Sequence, residues 1–280
     1  MLKGCLNCDS VENVKILGYG MLLEPQQGIS VTYSKNVLID GITVVNSRHY
    51  TVSGGQSQGI TIKNLQSFSY HGWSDGLDFI SCSDIVIDDV FLRNSDDCLA
   101  FYTHRWNYYG DCRKVRVQNS TLWADIAHPI NIGTHGNTKT GDEVLEDMLF
   151  KNIDILEHDE DDRNYQGCMT INVGDHNLAR NITFEDIRVE NIQEGQLFHL
   201  RVMYNQKYNT GPGRGVKDIV FRNISCTGKY INPSLIEGYD KNRKVENILF
   251  ENIVLNGKRV TTLEELNVDK KDFVGKVRIK

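Results

Sequence analysis

Apolar residues alternate with polar ones along this chain in short bursts, and the bursts repeat. One phrase occurs nine times: commonly an Asn or Asp, then apolar residues at every second position, then often another Asn or Asp. It reads Asn13-Val-Lys-Ile-Leu-Gly18, Asn36-Val-Leu-Ile-Asp-Gly41, Gly59-Ile-Thr-Ile-Lys-Asn64 and Asp84-Ile-Val-Ile-Asp-Asp89. It continues as Lys114-Val-Arg-Val-Gln-Asn119, Asp147-Met-Leu-Phe-Lys-Asn152, Asn181-Ile-Thr-Phe-Glu-Asp186, Asp218-Ile-Val-Phe-Arg-Asn223 and Asn247-Ile-Leu-Phe-Glu-Asn252. Successive starts lie 23, 23, 25, 30, 33, 34, 37 and 29 residues apart. A period of two predicts strands with one buried face, and a recurrence at this interval predicts stacked repeats.

Most repeats carry a second short strand: Leu77-Asp-Phe79, Leu99-Ala-Phe101, Ile130-Asn-Ile132, Met169-Thr-Ile171 and Phe198-His-Leu200. Strands this short, joined by Asn/Gly/Asp turns and lacking helical patterns between them, exclude a βαβ sheet. The consensus is not leucine-dominated, which excludes leucine-rich repeats, and each repeat is too short for a four-stranded propeller blade. The expected fold is all-β: a single-stranded right-handed parallel β-helix (solenoid) of about nine coils, one domain over residues 1–280. Like residues then stack roughly 4.8 Å apart. The repeated Asn is a structural residue in this reading, suited to left-handed corners and to side-chain ladders. Coils longer than the 23-residue minimum carry insertions, which in a solenoid gather on one face, often the binding face. Three such insertions are Thr103–Gly110, Thr134–Thr138 and Tyr204–Arg214.

Composition removes several function classes. With 31 basic and 37 acidic residues the net charge is −6, and no basic block is present, so nucleic acid is not an expected partner. No window approaches the roughly 18 apolar residues of a membrane span, and no membrane partner is expected. Seven cysteines cannot all pair. Cys5-x-x-Cys8 has no second half, so no metal site is assigned, and Cys98, Cys168 and Cys226 read as small buried hydrophobes. The chain opens without a charged-then-apolar leader, and its first repeat begins near Val11. An N-terminal part of the parent fold is therefore expected to be absent, and location and oligomeric state stay open.

The second strands supply a register. Two positions before the first inward residue of each stand Asp75, Asp97, His128, Gly167 and Gln196 on consecutive rungs. Between the inward pair, pointing away from the core, stand Asp78, Ala100, Asn131, Thr170 and His199; just beyond come Ile80, Tyr102, Gly133, Asn172 and Arg201. Three carboxylates, Asp75, Asp96 and Asp97, thus fall on adjacent rungs with His128 on the next. Crowded carboxylates repel, and at least one must hold its proton at a raised pKa, as acid/base cleavage of a glycosidic bond needs. Caps on strand ends, or a calcium site of oxygen ligands, are the alternatives at this point. Trp73, Tyr102, Trp106, Tyr108 and Tyr109 flank the acids and are suited to stacking on sugar rings.

The run Trp73-Ser-Asp-Gly-Leu-Asp-Phe79, followed by Asn94-Ser-Asp-Asp-Cys-Leu-Ala100, resembles the paired Asn-Thr-Asp-Gly and Gly-Asp-Asp-Cys motifs of the polygalacturonase-like glycoside hydrolases. The resemblance implies inverting hydrolysis, with Asp96 as general acid and Asp75 and Asp97 holding and activating water. Two departures stand out. The family's Gly-His-Gly becomes Ala127-His128-Pro129, and its Arg-Ile-Lys, which grips a galacturonate carboxylate, becomes Thr170-Ile171-Asn172. The stretch Asn119 to Gly133, and Leu197-Phe-His-Leu-Arg201, also look like the dextranase and isopullulanase enzymes, which cleave neutral α-glucans.

The expectation is an inverting glycoside hydrolase on a poly- or oligosaccharide, a neutral glycan by preference because both family cations are missing. Catalysis is assigned to Asp75, Asp96, Asp97 and His128. Substrate contacts are assigned to Trp73, Asp78, Tyr102, His104, Trp106, Asn131, His135, Thr170, Asn172, His199 and Arg201. The chemistry requires no cofactor and no metal. A polygalacturonase acting on pectin, a non-catalytic carbohydrate-binding β-helix and a calcium-dependent polysaccharide lyase are the competing readings.

Overall fold

The computed structural model describes residues 4–139, 141, 143–228 and 232–280. Every repeated phrase is a strand, from Glu12–Leu17 to Val245–Leu255, and successive phrases pair in parallel within a fifteen-stranded sheet. The second strands build a ten-stranded sheet running from Leu6–Asp9 to Val268–Lys270. Among the described residues there is no α-helix. Parallel strands that return to the same two sheets without helices make a right-handed parallel β-helix, and crossovers of this hand are the rule.

The local causes are visible in the repeated phrase. Its first residue turns the corner in the left-handed region: Asn13, Asn36, Asp84, Asp147, Asn181, Asp218 and Asn247 all have φ between 54° and 59°. Asn and Asp tolerate that region better than other residues with a Cβ. Their side chains then link rung to rung, as when the Asn36 Nδ2 donates to Asn13 Oδ1 at 3.1 Å and the Asn247 Nδ2 to Asp218 Oδ1 at 2.6 Å. A second ladder runs through Asp88, Asn119 and Asn152, at 2.8 Å per step. Inside, alternate residues stack in columns. Phe150, Phe184, Phe221 and Phe250 lie one above another with centroids 5.0, 4.9 and 5.2 Å apart, close to the strand spacing. Cys98, Cys168 and Cys226 are buried free thiols in this core.

The ten-stranded sheet carries the candidate site. Its register pairs Leu77 with Leu99, Leu99 with Ile130, Ile130 with Met169 and Met169 with Phe198. The column facing away from the core is Asp78, Ala100, Asn131, Thr170 and His199, and every member has zero exposure. Here the structure departs from the open face expected of these positions. The insertions at 103–110, 134–138 and 204–214 reach the cleft beside the acids, while the chain around 165–167 covers the later rungs: Asn131 Nδ2 donates to Tyr165 Oη at 3.0 Å, and a Cβ on Gly167 would stand 2.2 Å from Thr170 Oγ1 and 2.6 Å from His199 Cβ. The loops are tied together: Asn177 Nδ2 donates to His135 O at 2.9 Å, and Thr210 N donates to Asp175 Oδ1 at 2.7 Å.

Candidate active site

Backbone hydrogen bonds set the acids on consecutive rungs. Gly76 N donates to Asp97 O and Cys98 N to His128 O, each at 2.8 Å. Gly76 is needed for this approach, because a Cβ there would stand 2.2 Å from Cys98 O. One oxygen each from Asp75, Asp96 and Asp97 falls within 4.8 Å of the others. Adding a C–O bond of about 1.23 Å at each end, the carboxyl carbons are at most about 7.3 Å apart. That ceiling reaches only the short end of the roughly 6.5–9.5 Å expected of an inverting pair. The group lies in a cleft of about 500 Å³ that Trp73, Tyr102, Arg105, His135, Lys207 and Tyr208 also line.

Asp97 is the anion of the group. Its Oδ1 accepts from His128 Nδ1 at 2.6 Å and from the His128 backbone N at 3.1 Å. Its Oδ2 accepts from Asn131 Nδ2 at 2.7 Å and from the Tyr102 hydroxyl at 3.4 Å. Burial works to raise Asp97, but the His128 charge and these donors outweigh it and hold the carboxyl below its ordinary value. His128 in turn has an acceptor on each ring nitrogen, Asp97 at Nδ1 and the Tyr165 carbonyl 2.5 Å from Nε2. Both nitrogens must then carry hydrogen, which makes the ring an imidazolium. Burial opposes that charge, yet Asp97 prevails and pushes His128 up to about 9.

The other two acids go the opposite way. Burial, then the Asp97 charge, pushes Asp96 up to about 7. Burial, then Asp78, Asp96 and Asp97, raises Asp75 well above the carboxylate range, with Arg105 pulling against them. Asp78 is sealed beneath the cleft and raised likewise by burial and Asp97. The three clustered oxygens are also the one set among the described residues compact enough for a metal ion. Asp97 accepts from protein donors at both oxygens, and Asp96 holds a proton up to near neutrality, so the donor set favours proton chemistry over a cation.

Trp73 stands at the cleft rim, 77% exposed, in a left-handed conformation (φ 63°) that is unusual for a bulky residue. Tyr102 is buried against Asp97, and Asn131 is sealed while donating to it. His135 packs edge-on to Tyr102 at 5.3 Å. His104 and Trp106 line a neighbouring pocket instead. Of the eleven expected contacts only Trp73, Tyr102 and His135 line the acid cleft; besides Asp78, Asn131, His104 and Trp106, four more lie outside it. Thr170 donates to Gly167 O at 2.7 Å, and Asn172 is buried. His199 Nδ1 is 2.6 Å from Gln196 Oε1, and Arg201 is paired with Glu237 at 2.7 Å. The change from Gly to Ala before the histidine leaves the backbone in the form glycine favours, since Ala127 sits at φ 68°.

The cations absent from the strands come from loops. Arg105, on the 103–110 insertion, donates to Tyr50 Oη at 3.0 Å, and Lys207, on the 204–214 insertion, stands over the Tyr208 ring at 4.9 Å. Both line the acid cleft, as do Tyr50, Glu160 and Tyr165. Only the position of the insertions on the covered face hinted at these residues.

The family model for the glycosyl hydrolases of family 28 matches residues 4–272. The chain belongs to this family. Among curated relatives, a probable endo-xylogalacturonan hydrolase A of Aspergillus fumigatus is 26% identical over 216 residues, covering 71% of this chain and 49% of that protein. The chain thus spans about half the length of this curated relative. Two solved structures share the fold. The family 28 exopolygalacturonase of Yersinia enterocolitica superposes with TM-score 0.66 at 15% identity, covering 89% of this chain and 46% of that one. The endo-xylogalacturonan hydrolase of Aspergillus tubingensis does so with TM-score 0.61 at 18% identity, covering 99% and 75%.

Proposed function

We propose that this chain is an inverting glycoside hydrolase acting on an acidic, galacturonan-type polysaccharide. The observation that carries the reading is the splitting of neighbouring acids, with Asp96 raised to about 7 and Asp97 held low in one open cleft. Two titratable groups driven apart by their surroundings serve as acid and base in glycoside hydrolysis. Asp96 gives its proton to the departing glycosidic oxygen. Water attacks the anomeric carbon from the other face and passes a proton to Asp97, at Oδ2, whose long Tyr102 contact leaves it the less committed oxygen. Asp75, neutral before substrate binds, holds the water by hydrogen bonding. His128 is a positioning residue that keeps Asp97 ionised and oriented.

The neutral-glycan expectation is corrected. It rested on Thr170 and Asn172, which lie outside the acid cleft, whereas Arg105 and Lys207 bring two cations into it. Membership of family 28, with relatives named for galacturonans, supports the same substrate class. The test is a product profile by proton NMR on purified polysaccharides. Release of reducing ends from polygalacturonate with an inverted anomeric centre is expected. Faster release from neutral glucans, or retention of configuration, overturns the reading.

A further inference from the structure

A second pocket of about 320 Å³ shares Arg105 and His135 with the acid cleft. Its size is at the low end of ligand pockets, roughly 300–1,000 Å³, and suits a sugar ring rather than a length of polymer. Insertion loops build it, and its walls are fixed. His104 Nδ1 lies 2.5 Å from the Tyr108 carbonyl, and the His104 ring stacks on Tyr109 with centroids 4.1 Å apart. The Arg105 guanidinium lies over Trp106 at 4.7 Å. Asp175 lines the pocket too, but Oδ1 accepts from Thr210 N and Gly211 N and Oδ2 from Asn209 Nδ2, so its oxygens are committed to closing the loops. Two cations line the pocket, Lys139 and Arg105, the latter also donating to Tyr50 Oη, together with the rings of Trp106 and Tyr109. Cations beside flat apolar rings match a pyranose bearing a carboxylate.

We propose that this pocket binds a further uronate ring of the same saccharide chain, which passes Arg105 on its way from the scissile bond at Asp96. The inference rests on the hydrolytic reading of the acid cleft and adds a length requirement to it. Lys139 and Arg105 hold the carboxylate, and Tyr109 or Trp106 supports the ring. The test compares wild type with Lys139→Ala and Tyr109→Ala on galacturonate oligomers of increasing length, with thermal melts to confirm folding. Wild-type kcat/KM is expected to rise with length, and the deficit of both variants to grow with it, to roughly tenfold on oligomers long enough to reach the pocket. On methyl-esterified oligomers the Lys139→Ala deficit shrinks, because the carboxylate charge is gone. A deficit equal at every length, or none, overturns the pocket and leaves the hydrolase reading standing. A parallel arm titrates the same oligomers into Asp96→Asn protein, with and without Lys139→Ala, by tryptophan fluorescence. A Kd weakened about tenfold by Lys139→Ala supports the pocket even if wild type cleaves nothing, an outcome that refutes the hydrolase reading alone; an unchanged Kd refutes the pocket.

Discussion

Replacing Asp96 by Asn removes the proposed general acid and, by the same physics, stabilises the fold. The native Asp96 keeps its proton to about pH 7, whereas the unfolded chain releases it near 3.8. Between those values the unfolded state binds fewer protons than the native one, so stability falls as pH rises, and the full cost is reached above pH 7. About three pH units at 1.36 kcal/mol each set a ceiling of about 4 kcal/mol, and Asp96 is half-buried rather than sealed, so about 2–4 kcal/mol is expected. Asn carries no charge to desolvate. Melting curves of wild type and Asp96→Asn should therefore nearly coincide at pH 4 and separate by roughly 3–7 °C at pH 8, the variant higher. Reducing-end assays on the same samples should find the variant inactive. A variant that retains turnover refutes the acid assignment. A stability difference that does not change between pH 4 and 8 refutes the raised pKa behind it.

Three further outcomes are expected. His128→Asn removes the imidazolium that, with Asn131, holds Asp97 ionised against its burial; the acid limb of the kcat/KM profile should move up by about one to two pH units, and an unmoved limb would exclude the positioning role. Arg105→Gln combined with Lys207→Ala should cost roughly tenfold or more in kcat/KM on polygalacturonate and much less on its methyl ester, read from initial rates on both polymers. Phe184→Ala opens a cavity between Phe150 and Phe221 and should destabilise by about 3–5 kcal/mol in urea unfolding, with little change in the pH profile.

How much of this was legible beforehand follows from which features repeat. The alternation of Val, Ile and Phe, with Asn at the corners, imposes both register and spacing, so Asp75, Asp97 and His128 could be placed on consecutive rungs by counting alone. The cations could not. Arg105 and Lys207 sit on insertions that obey no period, and their positions depend on ties such as Asn177 to His135. For the same reason Thr170 and Asn172 misled: the strand register located them correctly, but whether a strand position meets solvent or lies beneath a loop depends on chain outside the repeat, for Thr170 the segment at Gly167. The neutral-glycan expectation came from looking for charge only where the repeat made positions comparable.

The order of the rungs explains why three similar acids divide their labour. Parallel stacking brings side chains of neighbouring coils to about 4.8 Å whatever their chemistry. In the Asn ladders that spacing is favourable, since each amide donates to the oxygen of the coil below. In the acid column it is costly, and the cost is shared unevenly because the one cation of the column, His128, stands at one end. Asp97, on the rung beside it, gains two hydrogen bonds from His128 and stays ionised. Asp96 shares Asp97's rung but takes from it only a single backbone N–H, while its charge bears on Asp96, which therefore holds its proton to near neutrality. Asp75, one rung further from His128 and crowded by Asp78, is raised as well. The protonated acid and the anion of that rung are thus told apart by which carboxyl takes the hydrogen bonds of a single imidazolium, and the solenoid's fixed rise is what brings His128 within reach of Asp97.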